Sequence, residues 1–157
     1  MKTELWAIGK TNEPYLREGI DMYVQRLQHY LAFSMQILPD IKNAGKLSSE
    51  QLKAKEGEMI LQRLRKEDYL ILLDERGQAY TSEAFARFIE QKWQLPGKKP
   101  VFLIGGAYGF SEAVYARAEA QVALSRMTFS YQMVRLFFVE QLYRAMTILR
   151  HEPYHNS

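Results

Sequence analysis

The run VFLIGGAYGF at 101–110 decides the fold class. Four apolar residues, Val101 to Ile104, pass directly into a turn holding Gly105, Gly106 and Gly109. A short apolar run bounded by turn residues reads as a strand buried on both faces. Downstream, LSRMTF at 124–129 closes a second, weaker strand at 121–124 with a polar loop. A long helix at 131–150, YQMVRLFFVEQLYRAMTILR, and the tail HEPYHNS follow. That helix sets apolar groups in several directions, Phe137, Phe138, Leu142, Met146 and Leu149, interrupted by Arg135, Glu140 and Arg144. A free-standing amphipathic helix would gather its charges on one face. This one is expected to lie buried between two surfaces, with its charges paired or facing a ligand or partner.

Upstream the same alternation repeats. Residues 5–9 form a first strand, 10–14 turn, and 15–30 have a helical period carried by Leu16, Ile20, Tyr23, Val24 and Leu27. Residues 33–38 read as a strand and PDIKNAGKLSS at 39–49 as a loop. Ser48 and Gln51 make a capping box opening a charged helix to about Arg65. Residues 69–73 read as a buried strand, 74–78 as a turn, and 83–93 as a helix capped by Thr81 or Ser82. QLPGKKP at 94–100 is a loop, and Ser111 opens a short helix. Strands alternating with helices predict an α/β layer structure with a largely parallel sheet, in a single domain over 1–157. Ligands then belong at the carboxyl ends of strands, which singles out the loops after Leu73, Ile104 and Leu124.

Composition narrows the function classes. With 47% hydrophobic and 25% charged residues the chain is that of a globular protein. Its apolar runs fall far short of the roughly 20 residues of a membrane span, and MKTELWAIGK has no leader pattern, so no membrane partner is expected. The absence of cysteine removes disulfides and thiol chemistry and fits a cytoplasmic setting. A net charge of +3 is compatible with RNA and equally with many other partners.

The glycine turn has two readings: backbone amides open to a nucleotide-like ligand, or a tight turn exploiting glycine's positive φ. It is neither GxGxxG nor a Walker A sequence. His151 and His155 have a metal-like spacing, but Pro153 between them prevents a shared helical face, so no metal is expected. His29 is expected to cap or pack at a helix end. Glu140 and Arg144, four apart, are expected to pair.

These residues also resemble a known family. AIGK at 7–10, KEGE at 55–58, ILLDERG at 71–77, IGG at 104–106, LSRMTF at 124–129, VRLFFVEQLYRA at 134–145 and EPYH at 152–155 are similar, in order and over the whole chain, to the RlmH family. That family comprises SPOUT-class pseudouridine N3-methyltransferases of 23S ribosomal RNA. The resemblance implies an α/β knot, with the carboxy-terminal segment threaded into a trefoil, and a homodimer. It implies S-adenosyl-L-methionine as methyl donor, held by Leu73, Gly105, Leu124, Ser125, Arg126, Met127, Thr128 and Phe129, and a pseudouridine in 23S ribosomal RNA of the assembled ribosome as target. Catalytic candidates are His155 as a base or base-positioning group, Arg144 as an electrostatic partner, Glu140 to orient it, and Tyr154 to stack on the target base. The tail bearing Tyr154 and His155 is expected to be frayed until RNA orders it. The alternatives are a knotted enzyme acting on another RNA such as tRNA, and a non-catalytic RNA- or ribosome-binding protein. One departure stands out: Ser130-Tyr131 occupies the place of a Pro-His pair found in many relatives, which removes that imidazole and leaves Ser130 to cap the helix.

Overall fold

The computed structural model describes residues 1–156. Five strands, β1 (Lys2–Ile8), β2 (Ala32–Leu38), β3 (Asp68–Ala79), β4 (Lys99–Ile104) and β5 (Ala120–Ala123), alternate with five helices. These are α1 (Pro14–Leu27), α2 (Ser49–Arg63), α3 (Ser82–Trp93), α4 (Glu112–Arg117) and α5 (Met133–Leu149). The sheet order is β2-β1-β4-β3-β5 and every pairing is parallel. Parallel neighbours need a crossover between them, and α1 to α4 lie in the four connections between successive strands, while α5 follows the last strand.

Side-chain alternation along the strands sorts the core into two layers. Leu5, Ala7, Ile71, Leu73, Phe102 and Ile104 pack with residues of α1, α3 and α5. Trp6, Ile8, Leu70, Leu72, Val101 and Leu103 pack with α2 and α4 on the other face. The Phe102 and Phe138 rings, 4.7 Å apart, join the sheet to α5. The expected capping box at Ser48 and Gln51 is complete, and of the two candidate caps for α3 it is Thr81 that accepts from Ala84 N.

Several expectations need correction. Residues 74–78 do not end β3. Val122 pairs with Leu73 and again with Gln78, so the polar stretch between them bulges from one continuous strand. Gly77 permits this, because a Cβ there would stand 2.7 Å from the Gln121–Val122 backbone. The loop at 94–100 gives its last two residues to β4, and the loop after β2 holds a short 3₁₀ turn, Ala44–Lys46. His29 lies exposed beyond the end of α1 and caps nothing with its side chain. The last helix begins at Met133. Gln132 stands at its N-cap, so Ser130 does not cap it; the Ser130 Oγ accepts from Gln132 N at 3.2 Å.

From Val134 to Leu149 every residue of α5 is buried or half-buried, packed against α1 and α3. Arg135 explains how a charge tolerates that position. It is fully buried, donating through one terminal nitrogen to Gly9 O (2.7 Å) and Thr11 Oγ1 (3.1 Å) and through the other to Ile8 O (2.8 Å). Burial lowers its pKa from the ordinary value, opposed by Tyr131 and Asp40. The carbonyls are those at the carboxyl end of β1, so Arg135 ties the first turn of α5 to the middle of the sheet.

Replacing Arg135 with Leu leaves two carbonyls and a hydroxyl without partners inside the protein. The expected loss of stability is about 3 kcal/mol. Arg135→Lys should recover only part of it, since one ammonium lacks the forked reach. Urea unfolding of both variants measures this, and an unchanged midpoint for Arg135→Leu would refute the clamp.

Candidate functional site

The loops after β3, β4 and β5 converge at one end of the sheet because all five strands run the same way. They enclose an open cleft of about 1160 Å³. Leu73 and Ile104 form part of its wall, with Gly105 to Gly109 beside them. Across from the turn stand Leu124, Ser125, Met127, Thr128 and Phe129, continued by Ser130 and Tyr131. Seven of the eight residues expected to hold a ligand therefore line one cleft. Arg126 is the exception, exposed and outside the lining.

Local bonds hold these loops in shape. Ser125 Oγ accepts from Met127 N at 3.0 Å, and the Thr128 hydroxyl bonds the Glu75 carboxylate on the β3 bulge. Phe129 packs on Phe137 of α5 with ring centres 4.9 Å apart. The glycine turn closes through Gly109 N donating to Gly106 O at 3.2 Å, with Gly109 at φ 86°. Gly105 is cramped: a Cβ would lie 3.1 Å from the Phe110 ring. The tight-turn reading holds, and the same turn lines the cleft.

Sequence reasoning missed several contributors. Glu50, Lys53 and Ala54 of α2 line the cleft, with Lys53 paired to Glu50 at 2.8 Å. Their charged segment carries no motif, so only the crossover from β2 brings them there. Asp74 accepts from the Tyr115 hydroxyl, joining the β3 bulge to α4. Burial, then that bond, pushes the Tyr115 pKa up to about 12.

The four tail-side candidates assemble elsewhere. Arg144 forms a two-point pair with Glu140, Nε to Oε1 at 3.1 Å and the guanidinium nitrogen to Oε2 at 3.2 Å. Its other terminal nitrogen lies 3.1 Å from His155 Nδ1, and His155 Nε2 lies 2.8 Å from Glu83 Oε1. An arginine only donates. Nδ1 is therefore the acceptor and the ring carries its proton on Nε2, towards Glu83. Tyr154 rests against Tyr143 (4.8 Å between ring centres), bonds Tyr23 at 3.1 Å, and lies under the Arg144 guanidinium. The tail is thus docked rather than frayed. Glu83, which no sequence signal singled out, is its anchor on α3.

This cluster does not line the cleft of its own chain. Glu140 alone reaches a neighbouring cavity of about 460 Å³, which shares Leu124 and Phe129 with the cleft as a common wall. Among the described residues no cluster of three or more metal-ligating side chains occurs, and no helix is long and apolar enough to cross a membrane.

Comparison with known proteins places this geometry. A family model described as a predicted SPOUT methyltransferase matches residues 1–155. The ribosomal RNA large subunit methyltransferase H of Parabacteroides distasonis is 54% identical over 157 residues, all of both chains. Its namesake in Cytophaga hutchinsonii is 54% identical over 156 residues, 99% of this chain and 100% of its own. That of Porphyromonas gingivalis W83 is 50% identical over the full length of both.

Tyr115 at the cleft and Tyr30, which donates to Glu152 at 2.6 Å, both have pKa values pushed to about 12 from an ordinary 10. The folded state keeps protons that the unfolded chain releases near pH 10. Their stabilisation is complete below about pH 10 and disappears as the pH rises to about 12. Urea unfolding across that range should show stability falling less steeply in Tyr30→Phe and Tyr115→Phe than in the wild type. Parallel slopes in all three proteins would contradict the assignment.

Proposed function

The chain belongs to the SPOUT methyltransferase family, and from that premise we propose that it methylates large-subunit ribosomal RNA with S-adenosyl-L-methionine. The target atom in this reading is N3 of a pseudouridine in 23S ribosomal RNA, presented at the subunit interface of the assembled ribosome. The convergence of the loops after β3, β4 and β5 on one cleft carries the reading. The full-length likeness to proteins named for ribosomal RNA methylation supports the class of substrate.

The cleft suits the donor chemically. Leu73, Leu124 and Phe129 offer apolar surface for a purine ring. The glycine turn and the backbone of 124–129 offer amides and carbonyls for its polar edge. Arg126 stands outside the lining, so the donor contacts in this reading come from its neighbours. When bound, the donor supplies an electrophilic methyl group on a cationic sulfur. The protein's part is to hold the base in line with that carbon and to assist loss of the N3 proton. No resident metal enters the scheme.

Residues 1–157 act in this proposal as one domain working as a homodimer. The chain leaves β5 at one edge of the sheet, yet Arg135 is bonded to β1, two strands beyond β3. The segment between must cross the carboxyl ends of β3 and β4, a path that supports the trefoil threading. The tail cluster lies outside its own cleft, so in this reading it completes the cleft of the other protomer. Arg144, held by Glu140 and His155, stabilises the deprotonated base there. Tyr154 supplies an aromatic face. His155 has both ring nitrogens engaged, so it positions Arg144 and serves as a base only if one of those bonds is released.

The test of function is to incubate the protein and labelled donor with ribosomes lacking the modification, then map the methyl group. Methyl label at N3 of a 23S pseudouridine is expected, in assembled ribosomes and not in naked RNA, because a charge of +3 gives weak phosphate attraction. Label in tRNA supports the alternative substrate. A lack of donor binding supports a non-catalytic RNA- or ribosome-binding protein.

Truncation after Glu152 should leave donor affinity within about twofold and slow single-turnover methylation about a hundredfold, the scale of positioned proton-transfer and charge-stabilising groups. Full-rate transfer by the truncated protein would remove Tyr154 and His155 from the catalytic proposal.

A further inference from the structure

Glu56 sits within KEGE on α2 but does not face solvent. It is only 7% exposed, and among the described residues its carboxylate has no hydrogen-bond or ion-pair partner. Its oxygens lie 2.6 and 2.9 Å from the point where a Cβ on Gly106 would stand, so it presses on the back of the glycine turn. Gly57 fixes this direction: a Cβ there would meet Ser111 Oγ at 2.4 Å, so α2 seats closely on the start of α4. The charged neighbour acting on Glu56 is Asp40, from beyond the end of β2, itself within the field of Arg135. Burial and Asp40 push the Glu56 pKa up to about 6, leaving it largely ionised at neutral pH. A largely desolvated carboxylate with no cation paired to it is disfavoured, and its negative potential reaches past the turn towards the cleft.

We propose that Glu56 is the charge-selecting residue of the cleft, favouring the sulfonium-bearing donor over its uncharged-sulfur product and so promoting exchange of product for fresh donor. The inference rests on the cleft binding S-adenosylmethionine. In the transfer, the nucleophile's electron pair forms the new bond to the methyl carbon. The carbon–sulfur pair returns to sulfur, converting sulfonium to thioether. The departing product, S-adenosylhomocysteine, has one positive charge fewer than the donor. Glu56 touches Gly106 rather than the ligand and acts through its field. At an effective dielectric of about 20, opposite charges about 12 Å apart still alter an equilibrium about tenfold.

Calorimetry on wild type and Glu56→Gln, with S-adenosylmethionine and S-adenosylhomocysteine each as titrant, tests this at a pH well above 6. Glu56→Gln keeps the shape and removes the charge. It should weaken donor binding about tenfold while leaving product binding within about twofold. Equal losses for both ligands would make Glu56 a mere brace for the turn and overturn the inference, as would no loss at all. Wild-type protein binding neither ligand would bring down the donor reading itself, and this inference with it.

A second measurement needs no variant. Because coupling is reciprocal, the Glu56 carboxyl resonance should titrate well below about 6 in the donor complex and stay near it in the product complex. The same titration in both complexes would overturn charge selection.

Discussion

The bond set of Arg135 is the constraint on which the site depends. A guanidinium with no exposed surface gives its two terminal nitrogens to Ile8 O, Gly9 O and Thr11 Oγ1, at the carboxyl end of β1, while its Nε has no partner among the described residues. Those carbonyls stand where β1 stops accepting from its neighbours, so the arginine satisfies groups that burial would otherwise leave unpaired. Its position has a longer reach than its energy. β1 and β5 are separated by β4 and β3. Anchoring the start of α5 at β1 draws residues 124–132 across the ends of the intervening strands, where they become the cleft's second wall. No apolar residue could specify the same course, since apolar contact has no direction and the forked hydrogen bonds do.

The β3 bulge makes the opposite wall by a similar economy of backbone. Leu73 ends the buried part of the strand, and Asp74 to Gly77 loop out before Gln78 rejoins Val122. The displaced residues turn their carboxylates to the two flanking elements, Asp74 to Tyr115 on α4 and Glu75 to Thr128 on the second wall. Had the strand simply ended at Leu73, neither contact would exist, and the 124–129 loop would be held only by β5 and by Phe129 packing on Phe137. Gly77 is what lets the β5 backbone come close enough for the strand to resume.

Much of this was legible in the residues. Apolar runs marked the inner strands, the hydroxyls of Ser48, Thr81 and Ser111 marked helix starts, and the spacing of Glu140 and Arg144 marked their ion pair. These are local signals, decided within a few residues. The bulge was illegible because DERG is ideal turn sequence, and only the distant partner strand β5 reclaims it. The tail misled for the same reason. Tyr154 and His155 follow a proline at the end of a chain, yet Tyr23, Glu83, Tyr143 and Arg144, remote in sequence, give them partners. Glu56 is one of many charges on the helix opened by Ser48 and Gln51. Its inward setting depends on Gly57 packing against Ser111, a contact no helical period announces.

Two charged systems therefore stand at different distances from the cleft, and their states of pairing differ. On the α5 side, Glu140, Arg144, His155 and Glu83 form a closed chain in which each charge or ring nitrogen has a partner. Such a chain holds its guanidinium in one orientation, as the electrostatic role proposed for Arg144 would require. Behind the glycine turn, Glu56 is left unpaired beside another carboxylate. That arrangement costs stability in the free protein, and a cation in the cleft would relieve it. In the proposed reaction the Arg144 guanidinium would face the anion and the Glu56 carboxylate the cation. Methyl transfer from a sulfonium to a deprotonated ring nitrogen needs both, because it begins with opposite charges and ends with neither.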